Sequence, residues 1–299
     1  MSSRMFLLIF FYLTSFATEA IQAPVPLRLE GFVDPKISYT ESKRAVCITD
    51  HYPLTVTTTN VNLLLPIPEN QAIVTALEQE DLSVDSKLAS RINGGNRTFT
   101  DTYSIFLKLC FPSDPKLAAN VSTIQILTHG ENLDSTYWDP APGYSYLDPA
   151  ASAGYATLSY DRLGIGQSDH PDPHQVVQSS MHVEILHRLV NLTRGGELAD
   201  HDFKHLVGVG HSYGSHITLG TTARYPKDFD AVILTGISTK PDHWQLVSAA
   251  QTSRVANTMQ REEWKGLSNG YLTQGSDEAF RFQSFKWPFY DPKGWSFFF

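Results

Sequence analysis

The sequence predicts an α/β fold in which helices cover both faces of a mostly parallel sheet. Short apolar runs recur at residues 122–129, 155–161, 203–212 and 229–238. Helix-like segments lie between these runs, and glycine or proline ends the helices. Short apolar strands that alternate with helices form βαβ units, whose parallel sheet needs cover on both faces.

The amino-terminal third gives mixed signals. Residues 54–67, LTVTTTNVNLLLPI, are β-rich. Tyr103, Ile105, Leu107 and Leu109 recur at every second position and so lie on one face, which is the period of a strand. The segment between them, NQAIVTALEQEDLS, is predicted to form a helix.

Two helices are predicted in the central part of the chain. Over residues 174–196 the apolar residues Val177, Met181, Ile185 and Leu189 recur at every fourth position, and Gly195 with Gly196 ends the helix. Residues 213–226 form the second helix, which ends at the proline.

The strand–helix alternation stops after Ser238. A polar segment to about Arg261 is predicted to be helical, and residues 280–299 are strongly aromatic. An aromatic segment of this kind needs a surface to cover, and a lid over a pocket is one interpretation and simple packing the other.

The first 20 residues have the layout of a secretory signal peptide. A basic head at Arg4 precedes an apolar run over residues 5–17 and a small-residue site that ends at Ala20. A membrane anchor is the alternative, but the run is shorter than the roughly 20 apolar residues that span a bilayer. We therefore expect a secreted chain with no integral membrane span.

Export would allow the two cysteines to form a disulfide and the three sequons to be glycosylated. Cys47 and Cys110 are expected to form one disulfide in an oxidising compartment, with two free thiols as the alternative. Asn96, Asn120 and Asn191 are candidate glycosylation sites. Asn96 is favoured, because INGGNRTFT is typical of an exposed loop.

The overall charge excludes one class of partner. The net charge is −8 and no cluster of lysine or arginine stands out, which argues against nucleic acid or an anionic membrane surface. His182 and His187 lie five residues apart, and the histidines form no metal-ligand pattern. We expect no metal and no cofactor.

The stretch GVGHSYGSH contains a Gly-x-Ser-x-Gly motif where a predicted strand runs into a helix. Ser212 at such a turn is exposed above the sheet and is a candidate nucleophile. Gly210 and Gly214 keep the neighbouring strand and helix clear of it.

A second motif follows the strand at 122–129. His129-Gly130-Glu131 is predicted to form a loop whose backbone N–H groups face a developing oxyanion, with the N–H of Tyr213 as the other donor. His129 is expected to shape this loop rather than to carry protons.

The third motif, YDRLGIGQSD at residues 160–169, completes a resemblance to the α/β-hydrolase superfamily, in particular to secreted fungal members. The resemblance implies an α/β-hydrolase fold with Ser212 as nucleophile, an oxyanion hole at Gly130, Glu131 and Tyr213, and a structural turn at Asp161-Arg162. It also implies acyl transfer, because dehalogenases and epoxide hydrolases of this fold carry aspartate at the elbow.

The expected triad order is serine, acid, histidine. Only His216 and His243 follow Ser212, and neither stands where the base is expected. Asp242 is a weak candidate for the acid. Because two further parallel strands are also expected, we interpret the chain as incomplete at its carboxyl end, with a sheet edge left bare.

The sequence therefore predicts three segments: a signal peptide (1–20), an α/β-hydrolase core (21–237) and a cap-like aromatic segment (238–299). The expected function is a secreted serine hydrolase, esterase- or lipase-like, acting on a small-molecule or lipid ester or lactone. A tailoring hydrolase of a secondary-metabolite pathway and a catalytically inactive binding protein are the alternatives.

Overall fold

Seven strands form the central sheet of the protein. The computed structural model describes residues 32, 34–198, 201–240, 244–286 and 288–291. The strands are β1 (Lys36–Tyr39), β2 (Ala45–Leu63), β3 (Asn93–Pro112), β4 (Thr123–Thr128), β5 (Ala156–Tyr160), β6 (His205–His211) and β7 (Ala231–Thr235), in the order β1-β2-β3-β5-β4-β6-β7.

The β5-β4-β6-β7 half of the sheet is parallel, as the sequence predicts. The helices that pack on the sheet are α4 (Leu147–Ser152), α5 (Ser179–Arg194) and α6 (Tyr213–Arg224). α5 and α6 contribute to a large apolar cluster on one face, whereas α4 contributes to a smaller cluster around Trp138 on the other. The prediction of a mostly parallel α/β fold covered on both faces is confirmed.

Helix α5 follows the predicted period but begins later. Met181, Ile185 and Leu189 are fully buried, because they form the stripe that faces the sheet. Val177 precedes the helix, which begins at Ser179, so the prediction of a helical start near residue 174 is wrong. Gly195 caps the end, and Gly196 follows with φ +69°.

Strands β1, β2 and β3 add an antiparallel half to the sheet. Cys47 and Cys110 lie opposite each other on β2 and β3 and form the expected disulfide. Between these strands lie the short helices α1 (Gln71–Asp81), capped by the Asn70 side chain, and α2 (Leu88–Ile92). α3 (Pro115–Ala118) follows β3.

The three sequon asparagines are exposed, but one of them lies in an unexpected element. Asn96 is paired with Val61 in the ladder between β2 and β3, so the prediction of a loop at this position is wrong. Asn120 follows α3, and Asn191 lies in the last turns of α5. Glycosylation at these residues stays a prediction.

The segment after β7 has little regular structure. It contains α7 (Trp244–Gln251), a two-stranded antiparallel sheet of β8 (Arg254–Val255) and β9 (Leu272–Thr273), and α8 (Asp277–Ser284). The prediction of helix as far as Arg261 is therefore wrong beyond Gln251. Phe280 is buried, whereas Phe282 and Phe289 are exposed, so the aromatic residues cover a surface only in part.

Strand β7 forms the outer edge of the sheet in the part of the chain that the structure describes. Val232 and Ile233 on this strand are 36% and 45% exposed, and Leu219 on α6 is 39% exposed. This matches the expected bare edge. No described helix combines the length and hydropathy needed to cross a membrane, and the predicted signal peptide lies outside the described residues.

Candidate active site

Ser212 occupies a strained turn between β6 and α6. Its backbone has φ +52° and ψ −119°, a region that non-glycine residues rarely adopt and that costs about 1–3 kcal/mol. The Ser212 N–H donates to the Thr235 carbonyl (2.9 Å). The Ser215 hydroxyl also accepts from the Thr235 N–H and donates to the Thr235 carbonyl. The end of β7 therefore holds the turn in place.

Glycine is required on both sides of this turn. A Cβ on Gly210 would lie 2.5 Å from the Cα of Ser215, and one on Gly214 would lie 2.1 Å from the Thr128 carbonyl oxygen. Both contacts are with backbone atoms, which cannot turn aside. The two glycines of the Gly-x-Ser-x-Gly pattern are therefore needed because the turn packs closely against its own helix and against β4.

The loop after β4 lies directly against Ser212. A Cβ on Gly130 would be 3.1 Å from Ser212 Cβ and 3.3 Å from His211 Cδ2. The structure therefore brings together the two motifs that the sequence singles out, although 82 positions separate Gly130 from Ser212.

His129 is completely buried and neutral. The Arg162 backbone N–H donates to its Nε2 (3.0 Å), so the ring proton is on Nδ1, which donates to the Gly130 carbonyl (3.0 Å). Burial, reinforced by the charge of Arg162, holds the pKa of His129 well below its usual value. With both nitrogens engaged, His129 fixes the loop.

Arg162 contacts both segments that carry the candidate oxyanion donors, the loop after β4 and the start of α6. Its Nη2 donates to the Gly130 carbonyl (3.0 Å), and its guanidinium lies 4.9 Å from the centre of the Tyr213 ring. The Tyr213 N–H is the first in α6, where helices leave backbone N–H groups without intrahelical partners. The sequence predicts only a turn at Arg162; the signal for a larger role is an arginine two residues after the buried strand β5.

Asp161 is buried and serves the same turn. Its carboxylate accepts from the Ser135 and Gln167 N–H groups (2.8 Å each), and its carbonyl accepts from Ser168 Oγ (2.7 Å). These backbone amides occupy the carboxylate, as suits the structural turn that the resemblance implies at Asp161-Arg162. Burial raises the pKa of Asp161, although the amide hydrogen bonds oppose the shift.

The histidines near Ser212 are engaged elsewhere. The Thr235 hydroxyl donates to the Gly210 carbonyl, so it accepts from His211 Nδ1 (3.1 Å). The His211 ring stacks on Tyr137 (4.6 Å), and His216 is exposed on α6. Among the described residues, no side chain makes a hydrogen bond to Ser212 Oγ. Asp242 and His243 lie outside the described residues.

A cavity of about 450 Å³ lies between the loops after β4 and β5 and the segment after β7. Its walls are formed by Tyr137, Ile165, Trp264, Leu267 and Tyr271, together with several polar side chains. Ser212 does not line this cavity, but Tyr137 connects the two through its stack on His211. In the described part of the chain, no group of three or more metal-ligating side chains occurs.

Comparison with known protein families gives a match over the part of the chain from β4 onward. Residues 125–296, more than half of the sequence, match the sequence profile described as the alpha/beta hydrolase family. This stretch begins in β4 and includes the Ser212 turn. No curated protein gives a significant match.

Several solved structures are similar to parts of the chain. An alpha/beta hydrolase from Novosphingobium aromaticivorans DSM 12444 is 15% identical, with 66% of this chain and 59% of that chain covered and a TM-score of 0.43. Alpha/beta hydrolase GrgF from Penicillium sp. sh18 is 21% identical, with 48% and 47% covered and a TM-score of 0.36. Epoxide hydrolase VrEH1 from Vigna radiata is 14% identical, with 46% and 38% covered and a TM-score of 0.36. This chain spans less than two thirds of each.

Proposed function

Because the chain belongs to the alpha/beta hydrolase family, we propose that it is a serine hydrolase that cleaves an ester, lactone or related acyl bond. The observation that carries the proposal is the strained Ser212 turn with Gly130 packed against the Ser212 side chain. A serine at this position suits acyl transfer, in which a covalent intermediate divides one difficult step into two easier ones.

The proposed reaction begins with attack of Ser212 Oγ on the substrate carbonyl carbon. The hydroxyl proton passes to a general base, and the carbonyl π pair becomes an oxyanion that accepts from the N–H groups of Tyr213 and Glu131. Collapse of this intermediate expels the alcohol, which takes up the proton from the base. Water then attacks the acyl-enzyme through the same steps and releases the carboxylic acid. The proposal assigns no residue as the base.

The cavity beside Tyr137 supports a small-molecule substrate. Its volume, about 450 Å³, lies within the range of ligand pockets, and its walls combine aromatic and aliphatic side chains with polar and charged ones. Burial raises the pKa of Tyr137 to about 12, so this wall presents a neutral phenol. A small ester or lactone that carries both an apolar and a polar group fits these surroundings.

Labelling with a fluorophosphonate tests the nucleophile. The wild-type chain should gain one covalent adduct that peptide mapping locates at Ser212, and Ser212→Ala should gain none. Ser152→Ala is the matched control, because Ser152 is an exposed serine on α4 that bonds Arg44. Absence of labelling in folded wild type, or labelling that persists in Ser212→Ala, overturns the proposal.

A non-catalytic binding protein is the second candidate. It is favoured by the finding that no described histidine bonds to Ser212 Oγ. On this alternative, an aryl ester binds with a measurable Kd but is not hydrolysed, and the Ser212→Ala variant binds it equally well. Ester hydrolysis that depends on Ser212 excludes the alternative.

Secretion is part of the proposal. Cys47 and Cys110 form a disulfide, which persists in oxidising compartments, and the three sequon asparagines are exposed. Expression in a eukaryotic secretory host should give medium-borne protein that begins at Ile21. Retention of the first 20 residues on cell-bound protein would contradict cleavage and export.

A further inference from the structure

Arg162 is a buried cation without a carboxylate partner in the described part of the chain. Its side chain is 4% exposed, and its Nε has no hydrogen-bond partner among the described residues. The neighbouring Asp161 carboxylate is occupied by backbone amides. Asp161 and Glu131 lie near enough to act on the guanidinium through space, but neither forms an ion pair with it. A buried charge without a directly bonded counter-charge is costly, so its position invites a functional explanation.

The contacts of Arg162 converge on one peptide group. Arg162 Nη2 and His129 Nδ1 both donate to the Gly130 carbonyl, each at 3.0 Å. In a trans peptide the carbonyl and the following N–H point in opposite directions. Holding the Gly130 oxygen on the buried side therefore directs the Glu131 N–H to the opposite side, away from the guanidinium.

The same guanidinium lies against the other donor residue. It rests 4.9 Å from the centre of the Tyr213 ring, and the Tyr213 hydroxyl is bonded to Ser179 (2.8 Å). A cation at this distance from an aromatic face is attracted to it, so Arg162 links the Gly130 loop to the start of α6. Among the described residues, it contacts the two segments that supply the proposed oxyanion donors.

We infer that Arg162 is the positioning residue of the oxyanion site: it orients and polarises the Gly130–Glu131 peptide and fixes that peptide relative to Tyr213. This inference rests on the proposed function. The guanidinium keeps its charge at all relevant pH values, and a cation behind the peptide strengthens the Glu131 N–H as a donor. Because the charge is already in place, it favours the anionic intermediate without reorganisation.

Three variants test the inference. Arg162→Met removes the charge and the donors at similar volume, and Arg162→Lys keeps the charge without the planar fork. Ser168→Ala is the matched control, because it loses the hydrogen bonds to the Asp161 carbonyl and Phe106 N–H in the same turn without touching Gly130. Each variant is assayed for aryl-ester kcat and KM, for affinity towards a trifluoromethyl ketone, for fluorophosphonate labelling and for thermal unfolding.

A positioning role predicts a specific pattern. Arg162→Met should lower kcat by roughly 100-fold, on the order of one lost oxyanion donor, with KM changed by less than about threefold. Its affinity for the ketone, whose adduct carries an oxyanion, should fall in parallel with kcat. Arg162→Lys should recover part of both, and Ser168→Ala should lower the unfolding temperature while kcat stays near wild type.

The outcomes separate this inference from the proposed function. If Ser212 is labelled in wild type but Arg162→Met matches wild type in kcat and ketone affinity, Arg162 has no positioning role. If Ser168→Ala loses kcat as severely as Arg162→Met, the effect of Arg162 is structural and the inference fails. Wild type that neither labels nor hydrolyses overturns the proposed function, and this inference with it.

Discussion

Replacing Gly130 with alanine tests the contact between the β4 loop and Ser212. The new Cβ would lie 3.1 Å from Ser212 Cβ, whereas apolar carbons pack at about 3.5–4.0 Å. Gly130 is not among the glycines with positive φ, so alanine strains the contact rather than the backbone. The loop and the serine must separate by roughly half an ångström.

The expected effect falls on reactivity more than on stability. A misplacement of about 1 Å at a reacting centre can cost on the order of 100-fold in rate. Half that displacement predicts roughly a tenfold lower rate of fluorophosphonate labelling for Gly130→Ala. Overpacking of this size destabilises by about 1–3 kcal/mol, which a denaturant titration measures separately.

Gly220→Ala provides the matched control. A Cβ on Gly220 would also have its closest neighbour at 3.1 Å, but that neighbour is a methyl group of Val183, remote from Ser212. Alanine is favoured over glycine in a helix by about 1 kcal/mol, so this variant should fold and label like wild type. If Gly130→Ala labels at the rate of Gly220→Ala, the β4 loop does not set the reactivity of Ser212.

Two further predictions concern stability. Replacing Cys47 and Cys110 with alanine should lower the free energy of unfolding by about 4 kcal/mol at 25 °C, because the bond closes a loop of 63 residues; an unchanged denaturation midpoint would contradict this. Burial lowers the pKa values of His129 and His182, so the unfolded chain binds more protons below pH 6.5. The free energy of unfolding should therefore be largest above pH 6.5 and fall on acidification, by up to about 1.4 kcal/mol per pH unit per histidine. His182→Leu should reduce that slope by one histidine's share, and denaturation curves between pH 5 and 7 that keep the wild-type slope would refute the assignment.

The parallel half of the sheet could be predicted because its signals are local. Each strand of β4 to β7 is a short apolar run, and the helices between them carry their own period and their own glycine or proline ends. The order of the His129-Gly130 and Ser212 motifs within that alternation was enough to predict that they meet. Parallel strands place their carboxyl ends at one edge of a sheet, which is where both motifs stand.

What could not be predicted depends on contacts between distant residues. β8 is two residues long, and the Val255 N–H donates to the Gln71 side chain, 184 positions away. Asn96 resembles a turn residue in sequence, but pairing with Val61 draws it into a strand. The link from Arg162 to Gly130 spans 32 positions and has no periodic signal. Local patterns carry no information about such pairings.

The strain at Ser212 connects the candidate site to the edge of the sheet. A backbone conformation that costs about 1–3 kcal/mol persists only where the surroundings determine it. At Ser212 those surroundings include Thr235, which accepts from the Ser212 N–H, exchanges hydrogen bonds with Ser215 and holds His211. Thr235 ends β7, whose other residues pair with β6 on one side and are largely exposed. If β7 frayed, the Thr235 contacts would be lost, the turn would relax and the Ser212 hydroxyl would move away from Gly130. The position of the Ser212 hydroxyl therefore depends on β7 staying paired.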